Sequence, residues 1–109
     1  MSKYHNRKIE IDGIKFDSIK EGERYLELKM LLKAGKIRDL QLQVEFELIP
    51  KQAGEQACNY KSDFVYHMAD TGKMVVEDVK GYKEGAAYQL FSIKRKLMLW
   101  RHGIKIVEI

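Results

Sequence analysis

Between Leu40 and Leu48 the chain alternates strictly, with Leu40, Leu42, Val44, Phe46 and Leu48 apolar and Gln41, Gln43, Glu45 and Glu47 polar. Side chains leave opposite faces of a strand at that period, so the segment predicts a single half-buried strand, ended by Pro50. Upstream, Ile9, Ile11, Ile14 and Phe16 flank Asp12-Gly13, a pair that tolerates the positive φ angles of a type I′ turn; a β-hairpin is predicted there. Residues 1 to 6 show no such pattern and read as a loose arm. Ser18 and Glu21 form a Ser-x-x-Glu capping box in front of Tyr25, Leu26, Leu28, Met30, Leu31 and Leu32. That helix carries Lys20, Glu23, Glu27 and Lys33 on its polar face and stops at Ala34-Gly35.

Residues 51 to 59 are a polar connection. Two strands, Tyr60 to His67 and Met74 to Lys80, then flank a turn around Asp70-Thr71-Gly72, and a connection so short makes them antiparallel. Past Gly81 and Gly85, a second helix is predicted from about Ala86 to Arg101, offering Leu90, Phe91, Leu97, Met98 and Trp100 for burial, with Gly103 just beyond its end. Ile104, Ile106 and Ile109 predict a last strand. The order is hairpin, helix, three strands, helix, strand. Such faces are buried by a mixed sheet with helices packed on it, an α/β (α+β) class, in one domain spanning residues 1–109.

Composition narrows the function classes. Hydrophobic residues at 45% and charged residues at 33% describe a globular chain rather than a disordered or membrane one. No apolar run nears the ~18 residues of a spanning helix, and Met1-Ser2-Lys3-Tyr4-His5 lacks the apolar stretch of a secretory signal, so a cytoplasmic protein without a membrane partner is expected. Cys58 is the sole cysteine, which excludes an intrachain disulfide and a cysteine-built metal site. A net charge of +4 is compatible with a polyanionic partner without singling one out. His67 and His102 have no partner at metal-ligand spacing.

The stretches Tyr60-Lys61-Ser62-Asp63-Phe64-Val65-Tyr66 and Val76-Glu77-Asp78-Val79-Lys80-Gly81 carry the candidate chemistry. On one strand Asp78 and Lys80 share a face, ~6.6 Å apart. A turn centred on Ala69 to Gly72 places Asp63 opposite Asp78 and on the same face. Two carboxylates at close range cost stability, but they suit a hard divalent cation such as Mg²⁺, with Mn²⁺ able to substitute. Such an ion polarises a phosphodiester and acidifies a bound water, and a nearby ammonium offsets charge in the transition state.

Asp63, fourteen intervening residues and Asp78-Val79-Lys80 resemble the signature of the PD-(D/E)XK, or restriction-endonuclease-like, nuclease superfamily, and the order αβββαβ resembles its core. Phe16-Asp17-Ser18-Ile19-Lys20-Glu21, Leu42 to Pro50 and the two strands above look like the small phage and prophage proteins of the domain-of-unknown-function 1064 family, over almost the whole chain. The superfamily resemblance implies a nuclease, a class that includes restriction enzymes, recombination nucleases and Holliday-junction resolvases, and the family implies a phage or prophage source without fixing a substrate. The function expected here is a metal-dependent DNA endonuclease acting on branched or structured DNA in phage recombination or replication. A phage or prophage source also implies a bacterial host cytoplasm. Asp63, Asp78 and Glu21 would be metal ligands and Lys80 the catalytic lysine. Ser62 stands where the signature has proline, and Glu77 beside Asp78 could exchange roles with it through a bulge.

Plainer readings stand beside these. Asp63, Asp78 and Lys80 would also make a solvated hairpin face with a weak salt bridge, and the capping box accounts for Glu21 without any ion. Lys83, Lys94, Lys96 and Arg101 could contact DNA phosphates or form the wet face of the second helix. Two other functions remain open: a DNA-binding module that does not cut, and a phage structural or adaptor protein. Cutting both strands of a junction requires two sites, hence a homodimer.

Overall fold

A computed structural model describes residues 7–81 and 83–109; the arm expected at residues 1 to 6 lies outside them. The chain opens on the hairpin, β1 (Ile9–Ile11) against β2 (Ile14–Phe16), with Ile11 paired to Ile14 across the turn. Asp12 and Gly13 take φ values of 55° and 77°, the left-handed pair that the turn requires. Helix α1 (Ile19–Lys33) follows, and the Ser18 Oγ accepts from the Glu21 amide at 3.1 Å. The hairpin lies on α1 at Gly22, where a Cβ would clash with the Ile9 side chain.

The long alternating segment is two strands, not one. Strand β3 (Ile37–Leu42) and strand β4 (Glu45–Ile49) are separated at Gln43, whose φ is 54°. The partner segment, expected as one strand from Tyr60 to His67, divides at the same level into β5 (Cys58–Lys61) and β6 (Phe64–Met68). Hydrogen bonds from Gln43 N to Asp63 O (3.1 Å) and from Ser62 N and Oγ to Val44 O (2.9 and 3.0 Å) tie the two breaks together. At this corner β4 and β5 peel away as their own two-stranded sheet. Apolar alternation survives the corner because it reports which side of the local ribbon is buried and is blind to which sheet the ribbon has joined.

The main sheet has the order β3-β6-β7-β8, with β7 (Met74–Asp78) antiparallel to β6 and β8 (Val107–Glu108) parallel to β7. Between them runs α2 (Ala86–His102), ended by Gly103 at φ 69°. Phe16, Tyr25, Leu28, Ile37, Phe64 and Tyr66 form a core under α1 and the hairpin. On the other face of the sheet, Leu48, Tyr60, Val65, Val76, Phe91, Met98 and Ile106 form a second core under α2 and β4–β5. The fold is therefore mixed α+β. Leu90 and Trp100, offered for burial by the helical pattern, point outward. No helix among the described residues is long and apolar enough to cross a membrane.

Candidate active site

Phe64 pairs with Glu77 and Val65 with Val76, so Asp63 falls across from Asp78 at the end of the hairpin. Asp63 sits one residue before β6, its N–H donating to Glu77 O at 3.1 Å and its Oδ2 accepting from Val79 N at 2.7 Å. Asp78, the last residue of β7, is buried. Its Oδ2 accepts from the Tyr60 hydroxyl at 2.6 Å and its Oδ1 is 2.9 Å from the Lys80 Nζ. Lys80 N donates to Ile109 O (3.0 Å) and Ile109 N to Asp78 O (2.9 Å), so the main chain beyond β7 is held by the C-terminal strand. The ammonium of Lys80 stands 3.6 Å from the centre of the Phe91 ring, and Lys20 Nζ donates to the Lys80 carbonyl at 2.7 Å.

Glu21 reaches this group from the first turn of α1. Its carboxylate accepts from the Asp17 backbone N–H, one residue short of the reciprocal cap the sequence suggested, and lies in hydrogen-bond reach of Asp63. Burial raises the pKa of Glu21, and the charges of Asp17 and Asp78 raise it further. Burial likewise pushes Asp63 up to about 7, reinforced by the charges of Asp78 and Glu21 and opposed by the Val79 N–H. Three carboxylates thus feel one another's charge, Asp78 alone is paired with Lys80, and Glu21 and Asp63 are poorly accommodated as anions.

Glu77 leaves β7 on the opposite face. It is 1% exposed and receives both Nε (2.9 Å) and Nη2 (2.6 Å) of Arg24, together with the Tyr66 hydroxyl. Its oxygens are spent under α1, and Asp78 is the one that faces Asp63.

The four cations singled out for DNA do not gather into one patch. Lys83, before α2, lies 3.8 Å from Glu108, whereas Arg101, at the far end of α2, is paired with Glu47 at 2.8 Å. Lys94 and Lys96 lie on α2 between them. Glu108 itself escaped the sequence reading. It pairs with Asp78 across β7 and β8, and accepts from Tyr88 Oη (2.7 Å) and Arg95 Nη1 (3.1 Å). Burial pushes its pKa up, but these hydrogen bonds and the Lys83 charge outweigh that and it falls below the usual value. No local pattern could have found it, because parallel pairing to β7 is a contact across a whole helix.

As the side chains stand, no three His, Cys, Asp or Glu among the described residues form a ready-made metal cage. Lys80 and Tyr60 already hold both oxygens of Asp78. The donor set nevertheless fits a hard divalent cation: all oxygen, crowded, with Glu21 and Asp63 raised in pKa by burial and by the charges of neighbouring carboxylates.

Searches among curated proteins and among solved structures returned no match. A family match covers residues 1–105, and on that extent the chain belongs to the family described as "Protein of unknown function (DUF1064)".

Proposed function

We propose that this protein is a metal-dependent DNA endonuclease of the PD-(D/E)XK type. The observation that carries the reading is the meeting of Glu21, Asp63 and Asp78, from α1 and two adjacent strands, beside Lys80. The order of elements around the main sheet supports it: α1, β3, β6, β7, α2 and β8 run helix, three strands, helix, strand, with β4–β5 as an excursion.

Glu21, Asp63 and Asp78 would hold a Mg²⁺ or Mn²⁺ ion, which when bound supplies Lewis acidity to a phosphodiester and acidifies water. The protein's own groups do the rest. Tyr60 holds Asp78 by one oxygen, leaving the other to Lys80. Lys80, a cation on the face of Phe91, would orient a nucleophilic water and offset charge at the phosphate in the transition state. The proposed substrate is branched or structured DNA in phage recombination or replication, in the cytoplasm of a bacterial host. Cutting paired strands, as a Holliday-junction resolvase does, calls for a second copy of the chain.

Labelled four-way, flapped, single-stranded and linear DNA, incubated with the purified protein and Mg²⁺ or Mn²⁺, tests this. Cleavage of at least one substrate is expected, lost on chelation and in Asp78→Asn and Lys80→Ala variants that still fold. Binding without cutting would replace the nuclease with a DNA-binding module. An Asp78→Asn variant as active as the parent would remove the proposed centre, and absence of DNA and metal binding at low salt would leave a structural or adaptor protein.

A further inference from the structure

The outward face of α2 carries a second apolar stripe, which touches the core only at Leu97. Leu90, Ile93, Leu97 and Trp100 recur at spacings of three and four, the seam along which one helix packs against another. Leu97 is partly buried against the core, but Leu90, Ile93 and Trp100 are 56%, 57% and 79% exposed. Lys94 and Arg101 flank this stripe on one side and Gln89 and Lys96 on the other, and α2 contains no acidic residue. Arg101 is ion-paired with Glu47 at 2.8 Å, so Lys94 and Lys96 supply the positive charge at these flanks.

We propose that this face docks an amphipathic helix of a partner protein, one whose apolar stripe is bordered by glutamates or aspartates. Charge decides the occupant. A second copy would bring Lys94 and Lys96 against the same cations, in parallel or antiparallel pairing, and like charges at such flanks repel. A nucleic acid would meet the cations, yet its phosphates and base edges gain nothing from Leu90 and Ile93. Helical spacing over about three turns, ~15 Å of seam, matches a helix-in-groove partner.

Trp100 is the only tryptophan in the chain, so its fluorescence reports on this face directly. The full chain is titrated with a three-heptad peptide bearing Leu and Ile on its seam and Glu at both flanks. Parallel titrations use the same peptide with Lys flanks, a single-stranded oligonucleotide, and vesicles of equal parts phosphatidylcholine and phosphatidylglycerol. The Glu peptide is expected to blue-shift Trp100 emission saturably, with affinity falling roughly fivefold or more between ~0.05 and ~0.5 M salt. Ile93→Glu, at an exposed position, is expected to keep the parent's thermal melt and lose at least about tenfold in affinity. No shift with the Glu peptide, equal shifts with both peptides, or a shift produced only by the oligonucleotide or the vesicles would overturn the proposal. So would self-association of the free chain that Ile93→Glu abolishes. None of these outcomes depends on whether the protein cuts DNA.

Discussion

The hydroxyl of Tyr60 donates a 2.6 Å hydrogen bond to Oδ2 of Asp78, joining a strand of the small outer sheet to the last residue of β7 in the main one. Tyr60 is 3% exposed, and burial together with the Asp78 carboxylate pushes its phenol well above the usual range. The tyrosine therefore stays a donor to the buried Asp78 side chain.

Tyr60→Phe removes that donor and leaves a buried carboxylate oxygen unsatisfied. Unfolding in urea should show a loss of about 1–3 kcal/mol. On the proposed function, Mn²⁺ affinity measured by calorimetry should fall ~10–100-fold, as it does when the groups orienting a ligand are removed.

Arg24, half-buried, and Glu77, fully buried, make the ion pair that fastens α1 to β7. Arg24→Ala strands a carboxylate that is 1% exposed, so a loss of about 3–5 kcal/mol is expected in chemical denaturation. Replacing both together, as Arg24→Met with Glu77→Leu, should restore most of it. A double variant no more stable than Arg24→Ala would show that the pair does more than neutralise itself.

Asp63 gives the metal-free protein a definite pH dependence. Its pKa is raised from 3.8 to about 7, so between those values the folded state holds a proton that the unfolded chain has released. Stability then falls as pH rises through this window, and the contribution is fully present only below about 4. In chelator the melting temperature should decline from pH 4.5 to pH 7.5. Asp63→Asn, which can still accept from Val79 N, should flatten the decline and exceed the parent in stability at pH 8 while cutting no DNA. Mg²⁺ should raise the parent's melting temperature above pH 7 and leave Asp63→Asn nearly unchanged.

Gly22→Ala tests the seat of the hairpin. The added methyl meets the Ile9 and Ile11 side chains, which must shift out of their seat on α1, at a cost of about 1–3 kcal/mol. Ile9→Ala in the same chain should recover part of that loss if the clash is its cause, which melting of the double variant would show.

Local chemistry was legible from the sequence because it depends on neighbours a few positions away. Asp12-Gly13 specified a turn with two positive φ angles, Ser18 specified the start of α1, and Gly103 its counterpart at the end of α2. The tight turn after Met68 set the register that brings Asp63 opposite Asp78, since side-chain direction in a paired strand follows from counting. Counting did not reveal the corner at Gln43 and Ser62-Asp63, where two continuous patterns cross from one sheet to another. It could not assign Glu77 to Arg24, place Glu108 beside Asp78, or turn Glu21 towards Asp63, because those partners come from elements far apart in the sequence that meet only once the helices and the C-terminal strand have packed on the hairpin. Nor could periodicity tell which of the two apolar stripes on α2 would be buried. A helix covers the sheet with one side, and packing against β4 and the main sheet selected Phe91 and Met98, leaving Leu90, Ile93 and Trp100 to the solvent.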